Sequence, residues 1–208
     1  MVCFIKGHFE NFRRMNSIKT ALLILPLMFF CQKTIPSNDS LVNGNFEQEL
    51  NIGWNQFIDY QNTLDVIGRA TNLDSDTDYE ARIKKYDASC AKLYQTVNIT
   101  STNMQFSVKV NLSANEINHY ATYWSAAAIC LRYLSSNNNL LGETRIVYKS
   151  AHCPWVSSNT VHLIEATVPD TWQTYSFNLN TELTNLSGVN PANIKMIQVV
   201  VMDTTNGC

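Results

Sequence analysis

Apolar and polar residues alternate in short runs along the chain from residue 79 onward, and helical spacing is almost absent. Residues 104–112 show this most clearly, with Met104, Phe106, Val108, Val110 and Leu112 on one side. A period of two indicates a strand with one buried face. The pattern predicts strands at residues 79–84, 90–99, 104–112, 124–134, 143–149, 161–168, 172–179 and 195–202, and a loop at 181–193 with one helical turn near Pro191. Such a series is typical of an all-β sandwich or barrel.

The run at residues 124–134 has two different faces. We expect Ile129, Leu131 and Tyr133 to face the core. The opposite face then carries one large aromatic residue, small residues and one cation, which are Trp124, Ala126, Ala128, Cys130 and Arg132. Small side chains between a tryptophan and an arginine suit a shallow groove on the concave face of a sheet.

Residues 1–30 are typical of an export signal. Four basic residues and one acid precede an apolar run at residues 21–30, which is too short to span a bilayer as a stable helix. Either Met1 or Met15 fits as the start. Cys31 follows the run and looks like the lipidated cysteine of a bacterial lipoprotein, although Phe30 stands where such signals usually have a small residue. The alternative is a simple secretory signal.

The remaining chain is predicted to form a polar tether at residues 31–40 and one domain at residues 41–208. Removing residues 1–30 changes the net charge from −2 to −5. An acidic surface repels phosphate backbones, so we expect no nucleic-acid partner. Cys90, Cys130, Cys153 and Cys208 would meet an oxidising compartment, where they would form up to two disulfides in three pairings or stay in part as free buried thiols.

The domain opens with Asn43-Gly44, a strong turn dipeptide. We expect Phe46 to enter a first strand facing inward and Glu47 to point the other way. Four segments, in order, resemble jelly-roll carbohydrate-binding modules related to families 4 and 9: residues 43–47 with Gly53-Trp54, residues 93–97, residues 105–110 and residues 172–175.

The resemblance implies a galactose-binding-like β-sandwich jelly roll over residues 41–203. It also implies a structural Ca²⁺ to which Glu47 would contribute. The last strand of the family has no counterpart before Cys208, so either the domain lacks that strand or its sheet is closed in another way. One carboxylate is not enough for calcium, which takes six to eight oxygens.

Sugar binding needs flat aromatic rings and groups that hydrogen-bond hydroxyls. The candidates are Trp124, Trp155, Tyr123 and Arg132. An alternative interpretation has Trp124 and Trp155 closing the ends of the sandwich. Trp54 and Trp172 are expected in the core under either interpretation. His119, His152 and His162 have no metal-ligand spacing.

These observations predict an exported, outer-membrane-anchored lipoprotein, on the cell surface or in the periplasm, that binds a polysaccharide without catalysis. A second hypothesis is a structural or adhesion module that binds no sugar. A third is a glycoside hydrolase, which needs two facing carboxylates; Glu116, Glu143, Glu165 and Asp170 are the candidates. Coplanar exposed aromatics would favour sugar binding, and a groove filled by side chains would favour the structural role.

Overall fold

The protein is described from a computed structural model, which covers the backbone of residues 2–6 and residues 41–71, 77–115 and 123–207. The described residues form an all-β structure with two sheets. Its strands are β1 (Val2–Lys6), β2 (Asn55–Ile58), β3 (Val66–Thr71), β4 (Tyr79–Lys84), β5 (Ser89–Asn98), β6 (Gln105–Ser113), β7 (Ser125–Leu134), β8 (Leu140–Lys149), β9 (Val161–Glu165), β10 (Trp172–Asn178) and β11 (Met196–Thr205).

One sheet has the strand order β10-β6-β1-β4-β3 and the other β2-β5-β11-β7-β8-β9. All neighbours are antiparallel except β8 and β9. A short helix, α1 (Leu179–Glu182), and 3₁₀ turns at Leu183–Asn185 and Pro191–Asn193 fill the connection before β11. No helix in the described ranges is both long and apolar enough to cross a membrane.

The core lies between the two sheets. Alternate residues of β6 (Phe106, Val108, Val110, Leu112) face alternate residues of β5, β7 and β11. The eight predicted strands are confirmed as β4 to β11, with ends that differ by a few residues, and the helical turn near Pro191 is confirmed. Period-two patterning was sufficient for β5 and β6, which bury alternate residues. Strand β7 is buried on both faces, and its long apolar run predicted it.

The opening of the domain differs in part from the prediction. Asn43-Gly44 lies in a turn and Phe46 is fully buried, packed on Trp54 at 5.3 Å between ring centroids. However, Phe46 has a positive φ of 57° and starts no strand. The predicted strand there is wrong because the turn continues through this residue, and the next strand begins at Asn55.

Strand β1 is a further difference. Val2–Lys6 pairs on one side with β4 and on the other with β6, so β4 and β6 are neighbours only through it. These residues belong to the segment predicted to be an export signal, which stays a prediction. Met15, Cys31 and the tether lie outside the described residues.

Candidate functional site

Strand β7 has the two faces that its sequence predicts. Ala127, Ile129, Leu131 and Tyr133 belong to the core between the sheets. The intervening side chains point to the outer face of the six-stranded sheet, where Ala126, Ala128 and Cys130 join a second apolar cluster. The remaining members of this outer cluster come from neighbouring elements: Val147, Cys153, Val200 and Met202, with Tyr94, Trp124, Trp155 and Leu163 packed against them.

Trp124 and Trp155 meet at one end of the outer cluster. Their ring centroids are 5.6 Å apart and the planes cross at 64°, an edge-to-face pair. The guanidinium of Arg145 lies 4.2 Å from the Trp155 centroid. The two predicted tryptophans are therefore brought together but are not coplanar, and the Trp155 ring also contacts Arg145. Tyr123 is 47% exposed beside them.

An open depression of about 300 Å³ lies on the same outer face. Its lining residues are Phe57, Lys92, Tyr94, Arg132, Gln198 and Val200. Strand register brings them together, because Phe57 pairs with Lys92, Val200 with Tyr94, and Gln198 with Arg132. Phe57 is 47% exposed, and the Lys92 ammonium lies 5.5 Å from its ring centroid. The depression thus combines two aromatic rings with cationic and amide groups.

Arginine side chains flank one buried carboxylate at the edge of this depression. Arg132 Nε lies 3.3 Å from Glu143 Oε2, and Arg132 Nη1 donates to Gln198 Oε1 at 3.5 Å. Arg145 Nε donates to the other oxygen, Oε1, at 2.8 Å, and Arg145 Nη2 also contacts it. Glu143 is 3% exposed, so it is a satisfied counter-ion rather than an open acid or base.

Burial and the positive charge of Arg132 both affect the pKa of Lys92. Desolvation lowers the pKa of this ammonium, and repulsion from Arg132 lowers it further. Among the described residues the Lys92 ammonium has no ion pair. A cation that is partly desolvated and lacks a bonded anion is a natural contact for a polar or anionic ligand.

The other candidate carboxylates do not assemble a hydrolytic pair in the depression. Glu165 pairs with Lys149 at 3.1 Å, Asp170 has a positive φ of 53° in a turn, and Glu116 lies outside the described residues. None of the six residues that line the depression is a carboxylate.

The cysteines divide between a disulfide and buried free thiols, both of which the sequence allowed. Cys130 and Cys153 are free and buried, whereas Cys90 is disulfide-bonded. Burial raises the pKa of Cys130 to about 12 and raises that of Cys153. The two thiols sit among apolar side chains of the outer cluster, so they pack as small hydrophobic residues rather than as nucleophiles.

A buried polar chain fixes α1 to the six-stranded sheet. Glu182 Oε1 accepts a hydrogen bond from Thr144 at 2.8 Å and contacts His162 Nδ1 at 2.5 Å. The Thr144 hydroxyl also lies 3.0 Å from that of Tyr133. Because Thr144 directs its proton at Glu182, the hydroxyl is not activated by His162, and the arrangement is structural.

Glu47 makes local contacts. Its Oε1 accepts a hydrogen bond from the Tyr79 backbone at 3.3 Å, and its carbonyl accepts one from Arg69 at 3.4 Å. No group of three or more His, Cys, Asp or Glu that could hold a metal occurs within the described ranges. Calcium at Glu47 stays a prediction.

Away from the depression, the ammonium of Lys85 contacts two carboxylates, those of Asp65 and Asp87. Lys85 Nζ contacts Asp65 at 2.7 Å, Asp87 at 3.1 Å and the Tyr60 carbonyl at 3.0 Å. Both the Lys85 and the Asp65 side chains are fully buried. The ammonium occupies the position among these oxygens that a metal ion would otherwise take.

The tryptophans outside the site divide between core and surface. Trp54 is 4% exposed and belongs to the core, which confirms its expected place. Trp172 lies outside the core, half-buried, with Lys109 5.5 Å from its ring centroid. Its core assignment is wrong because Tyr175 and Phe177, of opposite parity in β10, take the inward positions.

Arg132 is the only predicted site residue that lines the depression. Sequence reasoning missed Phe57, Lys92, Tyr94 and Gln198 there. A signal existed for two of them, since Lys92 and Tyr94 alternate with the core residues Ala91 and Leu93.

No protein-family model matches the chain, and a search of curated proteins finds no match.

Proposed function

We propose that the protein is a non-catalytic glycan-binding module of jelly-roll type, which takes a saccharide in the depression on the outer face of the six-stranded sheet. The observation that carries this proposal is the grouping of Phe57 and Tyr94 with Lys92, Arg132 and Gln198 around an open volume of about 300 Å³. Aromatic faces suit the C–H faces of a pyranose, and the polar groups suit its hydroxyls.

Trp124, Trp155 and Tyr123 extend the proposed site along the outer cluster. The edge-to-face tryptophan pair forms its apolar end, next to the small side chains of β7. A ligand longer than one or two sugar rings would pass from the depression toward this end. In this proposal Phe57 and Tyr94, rather than the tryptophans, stack on the sugar ring that lies in the depression.

Binding of soluble oligosaccharides to the purified chain, measured by calorimetry after a glycan-array screen, tests the proposal. We expect Phe57→Ala and Tyr94→Ala each to weaken binding at least about fivefold, as for a contact worth more than 1 kcal/mol. Trp172→Ala is the matched control, because that ring lies on the other sheet. Failure to bind any saccharide would overturn the proposal.

A structural or adhesion module without sugar binding is the second candidate. The mutual packing of Trp124 and Trp155 favours it, since side chains fill that end of the outer face. In that case the unmodified protein binds no saccharide, and Trp124→Ala lowers the unfolding temperature.

We also propose that the chain is exported and anchored to the outer membrane through a lipid on Cys31. The order of basic residues, apolar run and cysteine supports this proposal. Mass spectrometry of the N-terminal peptide after expression in a bacterium tests it. A lipid-modified Cys31 is expected, and a protein that retains residues 2–6 would contradict it.

A further inference from the structure

The depression has an excess of positive charge. Two of its lining residues are cations, Lys92 and Arg132, and none is a carboxylate. The nearest buried acid, Glu143, is shared between Arg132 and Arg145. One carboxylate therefore offsets two guanidinium groups, and Lys92 adds a third positive charge.

The two lining cations also have unused hydrogen-bonding capacity. Arg132 uses Nε toward Glu143 and Nη1 toward Gln198, at 3.5 Å, and within the described residues Nη2 makes no hydrogen bond. The pKa of Lys92 is lowered, because burial and repulsion from Arg132 outweigh the attraction of the carboxylates of Asp59 and Glu143. An anion placed between the two cations would relieve this repulsion.

We infer that the depression selects saccharides that carry a carboxylate, such as uronic acid residues, through paired contacts to Lys92 and Arg132. This inference rests on the proposed function, because Phe57 and Tyr94 supply the surface for the ring. A guanidinium presents parallel donors to both oxygens of a carboxylate, and an ammonium adds a point charge. The net charge of the whole chain is negative, so the attraction is local.

The inference is tested on the unmodified protein with two matched probes, tetragalacturonate and its methyl ester. They differ only at the carboxyl groups, where the ester carries a methyl group and no charge. We expect the acid to bind about tenfold or more tightly, as for a charge-assisted hydrogen bond. Added salt should weaken binding of the acid and leave binding of the ester nearly unchanged.

Variants then locate the charge. Lys92→Met and Arg132→Met should each reduce the preference for the acid, while Lys84→Met, on the other sheet, should preserve it. Equal affinity for acid and ester in the unmodified protein would overturn the charge selectivity and leave sugar binding intact. Binding to neither probe nor to any neutral oligosaccharide would overturn both proposals.

Discussion

Removal of the buried ammonium of Lys85 should strongly destabilise the fold. In Lys85→Met the Asp65 carboxylate, which is fully buried with its partner, would lose its ionic contact at 2.7 Å. It would keep two hydrogen bonds from backbone N–H groups, those of Asn62 at 2.7 Å and Tyr86 at 2.8 Å. Breaking one side of a buried ion pair costs about 3–5 kcal/mol, and the surviving donors place this case near the lower value, about 3 kcal/mol.

The matched control is Asp87→Asn. Asp87 contacts the same ammonium at 3.1 Å, but its side chain is 51% exposed. Exposed ion pairs contribute about 1 kcal/mol or less. The contrast between the two variants therefore measures the effect of burial on one shared cation.

The pH dependence of Lys85→Met follows from the direction of the shift at Asp65. Burial alone would raise the pKa of Asp65, but hydrogen bonds from Lys85 and the backbone lower it overall. The stabilisation is therefore present above about pH 4 and is lost as pH falls through the lowered pKa. In Lys85→Met the carboxyl can protonate, so the difference from the unmodified protein should shrink from pH 7 to pH 3.

Urea unfolding at pH 7 measures these differences, with the double variant Lys85→Met/Asp65→Asn completing the comparison. The double variant should be more stable than Lys85→Met alone, because no buried charge remains. A loss below about 1 kcal/mol in Lys85→Met, or a double variant no more stable than it, would refute the reasoning.

Three further measurements address other buried or charged groups. Burial raises the pKa of Asp203 well above its usual value, so its contribution to stability should decline as pH rises from about 4. Asp203→Asn keeps an oxygen for the backbone N–H of Lys85, which donates to Asp203 at 2.8 Å. The stability of this variant relative to the unmodified protein should therefore increase from pH 4 to pH 7, and a constant difference would contradict this. Cys130 and Cys153, buried and with raised pKa values, should react with a thiol reagent at least about tenfold faster in urea than in the native protein, and equal rates would show that they are accessible. For Glu47, a rise in unfolding temperature when Ca²⁺ is added to chelator-treated protein, abolished in Glu47→Gln, would confirm the calcium prediction, and unchanged temperatures would overturn it.

The parts of the fold that could be predicted best are those where a strand buries one face. Phe106, Val108, Val110 and Leu112 fall on the core side of β6 because alternation alone decides it. Strand β7 is buried on both faces, and it could be predicted from its long apolar run. Strand β3 has half-buried residues throughout, and β2 is four residues long and mostly exposed. Neither strand presents a periodic apolar face, so neither could be found this way.

The depression could be predicted only in part for a different reason. Phe57, Lys92, Arg132 and Gln198 are far apart in sequence and become neighbours through the register of four strands. The pattern within β7 placed Arg132 on the outer face. It could not show which strands lie beside β7, because strand order is a property of the whole chain.

The central position of β1 has a consequence for the timing of biogenesis. If residues 1–30 act as the proposed export signal, they must stay accessible to the export machinery, yet Val2–Lys6 is hydrogen-bonded on both sides within a sheet. Translocation and folding would then compete for the same five residues. A chain that folded first would bury the proposed signal within the sheet. A chain cleaved first would lose β1 and leave β4 and β6 with unpaired backbone groups.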